Sequence, residues 1–208
     1  MKIFITGASG FVGGAVAKHL KNQHTIIAMA RSERSAEKVR VLGVTPVHTA
    51  LNQVTVEDLA GCDVVIHSGA YVEQWGTRQQ FWDTNVEGTR QLLEVAKQAG
   101  VKRFIHISTE AVLFDGTDMV DIDESHPYPK STSFLYSETK QEAEKLVLAA
   151  NEDGAFETIS LRPCVIWGPE DQTILPEVME MVNKGAFMWG SGGKSITSHI
   201  IKPYLKNG

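Results

Sequence analysis

The sequence predicts an α/β fold, a doubly wound parallel sheet with helices on both faces. Three observations point there. Short runs that are apolar on both faces alternate with amphipathic helical stretches, as strands buried on two sides require. A turn with glycines three apart, at Gly7, Gly10 and Gly13, leaves the first apolar run and enters a helical stretch. The 208 residues are 42% hydrophobic and 22% charged, enough for one large domain or for one domain and part of another.

The elements follow in order. Residues 2–6 read as a strand, 11–22 as a helix, 25–29 as a second strand, 34–42 as a helix and 44–48 as a third strand. Residues 64–67 form a strongly buried strand. A longer helix is expected over 81–99, carrying Val86, Leu92, Leu93, Val95 and Ala96, with Gly100 placed to cap its C-terminus. A strand over 104–108, a helix over 134–150 and a strand over 157–161, stopped by Pro163, complete the pattern. In such a sheet the ligand site lies at the carboxyl ends of the strands. There is no internal repeat and no low-complexity segment.

Composition excludes several classes. A net charge of −5 argues against a nucleic-acid partner, which shows as a basic patch. Two cysteines, Cys62 and Cys164, make no disulfide framework; both sit in apolar runs, as small core residues of a reducing compartment do. No apolar run approaches the roughly 18 residues of a membrane helix. The chain passes from Met1 and Lys2 straight into Ile3-Phe4-Ile5, so no signal peptide, no membrane contact and a cytoplasmic location are expected. The seven histidines show no metal-ligand spacing, so no metal is expected. His67 and His106 end buried strands and read as core or loop residues.

The turn Thr6-Gly7-Ala8-Ser9-Gly10-Phe11-Val12-Gly13 carries the first chemistry. Its first glycine permits a tight turn, its second lets backbone approach a pyrophosphate, and its third lets the helix pack close to the sheet. Backbone N–H groups and the positive end of the helix dipole then face the phosphates. A glycine-rich turn that binds nothing is the plain alternative. The placement between an N-terminal strand and a helix favours a dinucleotide. At the end of the second strand an acidic residue would bind the adenosine ribose 2′-hydroxyl, and a basic one a 2′-phosphate. Arg31 stands there, with Ser32 beside it and Arg34 near, so NADP is favoured over NAD. Glu33 weighs against the phosphate, and both arginines could equally be solvated charges at a helix start.

Tyr136 and Lys140 lie four apart on a predicted helix and so share one face. A lysine ammonium lowers the pKa of a nearby phenol, which can then exchange a proton with a substrate oxygen while hydride moves to or from a nicotinamide. Such a pair is common by chance on helix surfaces. It gains specificity from a hydroxyl residue at the end of the preceding strand, where Ser108 and Thr109 stand.

Together these segments resemble the extended short-chain dehydrogenase/reductases, the NAD-dependent epimerase/dehydratase group. Within it they look most like the branch of 3β-hydroxysteroid dehydrogenases and dihydroflavonol-type reductases. Val65-Ile66-His67-Ser68-Gly69-Ala70, Asn85-Val86-Glu87-Gly88-Thr89, Asp123-Glu124-Ser125-His126-Pro127 and the segment 161–169 resemble further family signatures, and the likeness runs from Met1 to about Ser198. It implies a Rossmann-type dinucleotide domain over 1–165 and a partial substrate-binding region over 166–208. It implies Tyr136 as acid/base, Lys140 as the residue that tunes it and binds the nicotinamide ribose, and Asn85 as a brace through backbone hydrogen bonds. The family hydroxyl precedes a Val by three, which selects Thr109 ahead of Val112, with Ser108 the alternative. Cofactor contacts are implied at Gly7, Ser9, Gly10, Phe11, Val12 and Gly13, at Arg31 and Ser32, and at Leu51. Further contacts are implied at Ser68, Gly69, Ala70, Ile107, Tyr136, Lys140, Pro163 and Val165.

The chain departs from the family at Ala50-Leu51, where Asp-Leu is usual, and at Leu113-Phe114, where Tyr-Gly is frequent. Residues 190–200 look like the strand that leads into the substrate region, and 201–208 do not continue the family pattern. The chain is therefore expected to stop short of a complete substrate domain. The favoured activity is hydride transfer between NADP(H) and a carbonyl or secondary alcohol carbon of a small molecule. A sugar-nucleotide epimerase or dehydratase with bound NAD, and a non-catalytic dinucleotide-binding protein, are the alternatives. Tyr71, Trp75, Phe81 and Trp82 could floor an apolar substrate site or pack a helix. Trp167, Phe187, Met188 and Trp189 are expected as uncovered apolar surface. The resemblance also implies a homodimer through helices 81–99 and 134–150.

Overall fold

The computed structural model describes every residue except 74, 173, 189–191, 193, 195, 196 and 202–208. Six strands form one sheet: β1 (Lys2–Thr6), β2 (Thr25–Met29), β3 (Thr45–Val47), β4 (Val64–His67), β5 (Arg103–Ile107) and β6 (Glu157–Leu161). Their order is β3-β2-β1-β4-β5-β6 and every pairing is parallel. This is the doubly wound arrangement the sequence predicts. The strand order reverses between β1 and β4, so the connections leaving them diverge and open a crevice at their carboxyl ends.

Side-chain alternation splits the core in two. Phe4, Val65 and Phe104 face Leu92, Leu93, Ala96 and Val147, while Ile3, Ile5, Ile26, Val64 and Ile66 face Ala17 and Val39 on the other side. The second layer is built by α1 (Phe11–Leu20) and α2 (Glu33–Val41), the first by α4 (Gly88–Gln98) and α5 (Leu135–Ala149).

The helix expected over 81–99 is not continuous. A capping box between Thr77 and Gln80 starts α3 (Arg78–Trp82) earlier, and one π-helical turn, Asp83–Glu87, separates it from α4. That wider turn buries both Asn85 and Val86. Gly100 closes α4 as expected, with φ +75° and Val101 N–H bonded to the Ala96 carbonyl at 3.0 Å. β5 ends at Ile107, so Ser108 is the first residue beyond the strand; its N–H still bonds Leu161 O at 2.7 Å.

The chain divides into two compact units, Met1–Arg162 and Pro163–Gly208. In the second, β7 (Val165–Trp167) pairs in parallel with β8 (His199–Ile201), and α6 (Ile174–Asn183) lies between them in sequence. Met188 is exposed as expected, Trp167 and Phe187 are partly buried, and Trp189 lies outside the described residues. Of the strand expected within 190–200, β8 supplies the end; residues 190, 191, 193, 195 and 196 lie outside the described residues. Cys62 is core, whereas Cys164, past the last strand of the large sheet, is only partly buried. No described helix is long and apolar enough to cross a membrane.

Candidate active site

The glycine turn is held where β1 meets β4. Gly7 has φ +73°, and a Cβ there would stand 2.8 Å from the Ser68 carbonyl and from Gly69 N. A Cβ on Gly13 would stand 2.4 Å from Gly7 O, so α1 approaches the turn as closely as backbone permits. Gly10 caps α1 with no side-chain hydrogen bond, and the first helical turn carries no acidic residue. The positive end of the α1 dipole thus favours an anion there. Ser9, Phe11 and Val12 are partly buried around that end. These features fit a pyrophosphate.

At the end of β2, Arg31 and Arg34 are exposed and form no ion pair among the described residues. Glu33 is held by Arg40 at 2.5 Å. Ser32 caps α2, its hydroxyl accepting from Ser35 N at 3.3 Å. Leu51 opens a 3-10 turn and lies against Gly88, where an added Cβ would meet its Cδ2 at 2.6 Å.

A buried polar chain runs from the loop after β4 toward α5. Gly69 N donates to Thr6 Oγ1 at 3.0 Å, Thr6 Oγ1 meets His67 Nδ1 at 2.7 Å, and His67 Nε2 meets Thr89 Oγ1 at 2.9 Å. Thr89 Oγ1 donates to the Asn85 carbonyl at 2.7 Å. Each hydroxyl has one proton, so the direction is fixed: Thr89 must accept from His67 Nε2–H, and His67 Nδ1 must accept from Thr6. His67 is a neutral imidazole, and burial, with the Lys140 charge second, lowers its pKa to about 3. Asn85 Oδ1 accepts from Tyr71 N at 2.7 Å; its Nδ2 donates to Tyr71 O at 3.2 Å and to Thr139 Oγ1 at 3.1 Å. Its bonds to the Tyr71 backbone and to Thr139 tie residue 71 to α5.

On α5, Tyr136 is partly buried and Lys140 fully so. Lys140 Nζ donates to the Ile107 carbonyl at 2.8 Å and meets His106 Nε2 at 3.1 Å. Burial lowers its pKa to about 7, against the opposing field of Glu144. The lowering of the Tyr136 phenol expected from Lys140 is not found. Burial raises the phenol above its ordinary range, with the Thr109 side chain opposing it. The lysine Nζ is directed at Ile107 and His106 instead. Thr109 is therefore the hydroxyl that faces Tyr136; it also accepts from Ala111 N at 3.2 Å. Ser108 Oγ is buried with no hydrogen-bond partner among the described residues.

Sequence reasoning missed a second buried cluster. Glu144, fully buried, accepts from Tyr128 Oη at 2.6 Å, Ser160 Oγ at 3.0 Å and Arg162 Nε at 2.8 Å. Burial would raise its pKa, but the bonds from Arg162 and Tyr128, with Ser108 acting from outside hydrogen-bond geometry, outweigh it and the net shift is down. The signal was available, since Tyr136, Lys140 and Glu144 repeat at four-residue spacing on one helix stripe. Of the aromatic set, Phe81 is core and packs edge-on against Tyr71 at 4.8 Å, Arg78 lies over Trp82, and Trp75 is exposed. Pro163 and Val165 belong to the second unit. Among the described residues no group of three or more His, Cys, Asp or Glu could hold a metal ion.

A glycine-cradled switch point together with a Tyr/Lys pair on the helix after β5 defines the short-chain dehydrogenase/reductase class. A solved short-chain dehydrogenase/reductase superfamily protein from Agrobacterium tumefaciens, with bound NAD, matches with a TM-score of 0.73 at 28% identity, over 89% of this chain and 59% of that one. The chain belongs to the 3-beta hydroxysteroid dehydrogenase/isomerase family, whose sequence model matches residues 4–207. It is 40% identical to a 4-hydroxy-2-methyl-3-oxo-4-farnesyl-3,4-dihydroquinoline-1-oxide ketoreductase of Stigmatella aurantiaca, over 95% of this chain and 60% of the relative. It is 35% identical to a 3-beta-hydroxysteroid dehydrogenase of Mycolicibacterium neoaurum, over 94% of this chain and 56% of the relative. The chain thus spans less than two thirds of the length of these relatives.

Proposed function

We propose that this chain carries the catalytic unit of an NADP(H)-dependent oxidoreductase that interconverts a ketone and a secondary alcohol. The observation that carries the reading is the placing of Tyr136 within the influence of the Thr109 side chain just past β5, with Lys140 one helical turn further along α5. The two relatives described above, a ketoreductase and a hydroxysteroid dehydrogenase, have activities of this kind.

The dinucleotide would be held by the turn from Gly7 to Gly13, by Arg31 and Ser32, by Leu51, by Ser68, Gly69 and Ala70, and by Ile107 and Lys140. When bound it supplies or accepts the hydride. The rest falls to the chain's own residues. Thr109 orients the substrate oxygen toward Tyr136. Burial keeps the Tyr136 phenol protonated at neutral pH, which suits it to donate a proton to a carbonyl oxygen as negative charge develops there. Lys140, its Nζ held by the Ile107 carbonyl and His106, is left to bind the nicotinamide ribose. Asn85 holds α5 in place through Thr139.

Arg31 and Arg34 support the phosphate-bearing cofactor, since Glu33 is neutralised by Arg40 and does not oppose a 2′-phosphate. In this reading residues 166–208 begin the substrate region, the protein works in the cytoplasm, and it pairs through α4 and α5, where Leu93, Leu146, Ala149 and Ala150 line a surface groove.

The deciding experiment is Tyr136→Phe, assayed by NADPH oxidation against a panel of cyclic and β-keto ketones, with cofactor affinity followed by intrinsic fluorescence. Loss of turnover with NADPH binding intact is expected. Full activity in the variant would overturn the assignment.

A further inference from the structure

His106 is 1% exposed and, among the described residues, bonds Lys140 through Nε2 while its buried Nδ1 has no partner. A buried ring nitrogen without a partner carries a cost that an apolar side chain would avoid, so packing alone does not account for the imidazole. We propose that His106 is a positioning residue for Lys140, holding the lysine Nζ at the end of β5 in both protonation states of the amine. The proposal rests on the role given to Lys140 above.

The chemistry follows from the donor inventory of the two groups. A lysine ammonium can only donate, so His106 Nε2 then accepts and the ring proton sits on Nδ1. A neutral amine offers a lone pair, so Nε2–H then donates to Nζ and Nδ1 is bare. The Ile107 carbonyl accepts an N–H of Nζ in either case. Lys140 can therefore lose and regain a proton without giving up either contact, and one N–H direction stays free for the site.

Three titratable groups act on Lys140 or are acted on by it: His106 on β5, His67 beside it on β4, and Glu144 on α5; Tyr136 stands one helical turn before it on α5. The two imidazole rings stand 5.3 Å apart at paired positions of adjacent strands. They are not equivalent, because Thr6 and Thr89 lock His67 in one tautomer while His106 is free to switch. Burial pushes both imidazoles well below their ordinary range, so both stay neutral while Lys140 changes charge around pH 7. His106 is then a hydrogen-bond partner that does not compete for the proton.

The test is NMR on the protein labelled with 15N-histidine and 15N/13C-lysine, with the Lys140 signal assigned through Lys140→Arg. In the wild type, the His106 ring-nitrogen shifts should exchange tautomers with the same midpoint as Lys140. In His106→Phe the Lys140 midpoint should fall by about one pH unit, a tenfold change in acidity, since both bonds are lost and the charge-assisted one to the ammonium is the stronger. In His106→Gln, which can accept or donate, it should stay close to wild type. A His106 ring fixed in one tautomer across the titration overturns the proposal, and this arm needs no variant. An unmoved Lys140 midpoint in His106→Phe, with NADPH affinity intact, overturns it as well. Neither readout uses turnover, so a failure of the Tyr136 assignment would be seen separately.

Discussion

Arg162 grips Glu144 by two nitrogens, Nε at 2.8 Å and Nη2 at 2.7 Å from the same carboxylate oxygen. Tyr128 reaches that oxygen too, and Ser160 takes the other. The pair fastens α5 to the end of β6. Removing one partner of a buried pair strands the other charge, so Arg162→Met should destabilise the protein by about 3–5 kcal/mol. Urea unfolding should show a lower midpoint at unchanged slope. Adding Glu144→Gln should recover much of the loss; a double variant as unstable as the single one would mean that the stranded carboxylate is not the cause.

Lys140 is held at a cost to stability. Its pKa is 10.5 in the unfolded chain and about 7 in the folded one. The unfolded state therefore binds more protons between those values, and stability rises with pH across that window. Lys140→Met should stabilise the protein at pH 7 by roughly 1–3 kcal/mol, after the lost bonds to Ile107 and His106 are counted. The advantage should shrink toward pH 10. Urea unfolding at both pH values checks this; a variant less stable than wild type at pH 7 would contradict it.

His67 and His106 set the acid limit. Both are kept neutral by burial, His67 down to a pKa of about 3. Their contribution is whole above the unfolded value near 6.5 and is lost as pH falls below it, at up to about 1.4 kcal/mol per pH unit for each ring. Thermal unfolding of wild type and His67→Gln from pH 7 to pH 4 should show a shallower decline in the variant. Parallel curves would rule out His67 as a source of the acid sensitivity.

Arg31 should decide the cofactor. Arg31→Ala is expected to weaken NADPH binding about tenfold, or ~1.4 kcal/mol, and to leave NADH nearly unchanged. Fluorescence titrations with both dinucleotides measure it. Equal loss for both would show that Arg31 does not read the 2′-phosphate.

The sequence by itself determined the sheet, its order of strands and helices, the glycine turn, the Gly100 cap and the Tyr136/Lys140 stripe. All of these are written in local periodicity or in spacings within one element. The tertiary structure decided the rest. A 3.6-residue pattern does not show where a π turn enters, so the break at Asp83–Glu87 was hidden within residues 81–99. Glu144 meets Arg162 from 18 positions away, and Lys140 meets His106 from 34. Those meetings depend on the register of β4, β5 and β6. So does the direction of the Tyr136 shift, because burial and the position of Thr109 set it and neither is local to α5. Short-range hydrogen bonding and alternation give the elements, while desolvation and long-range pairing give the charges their values.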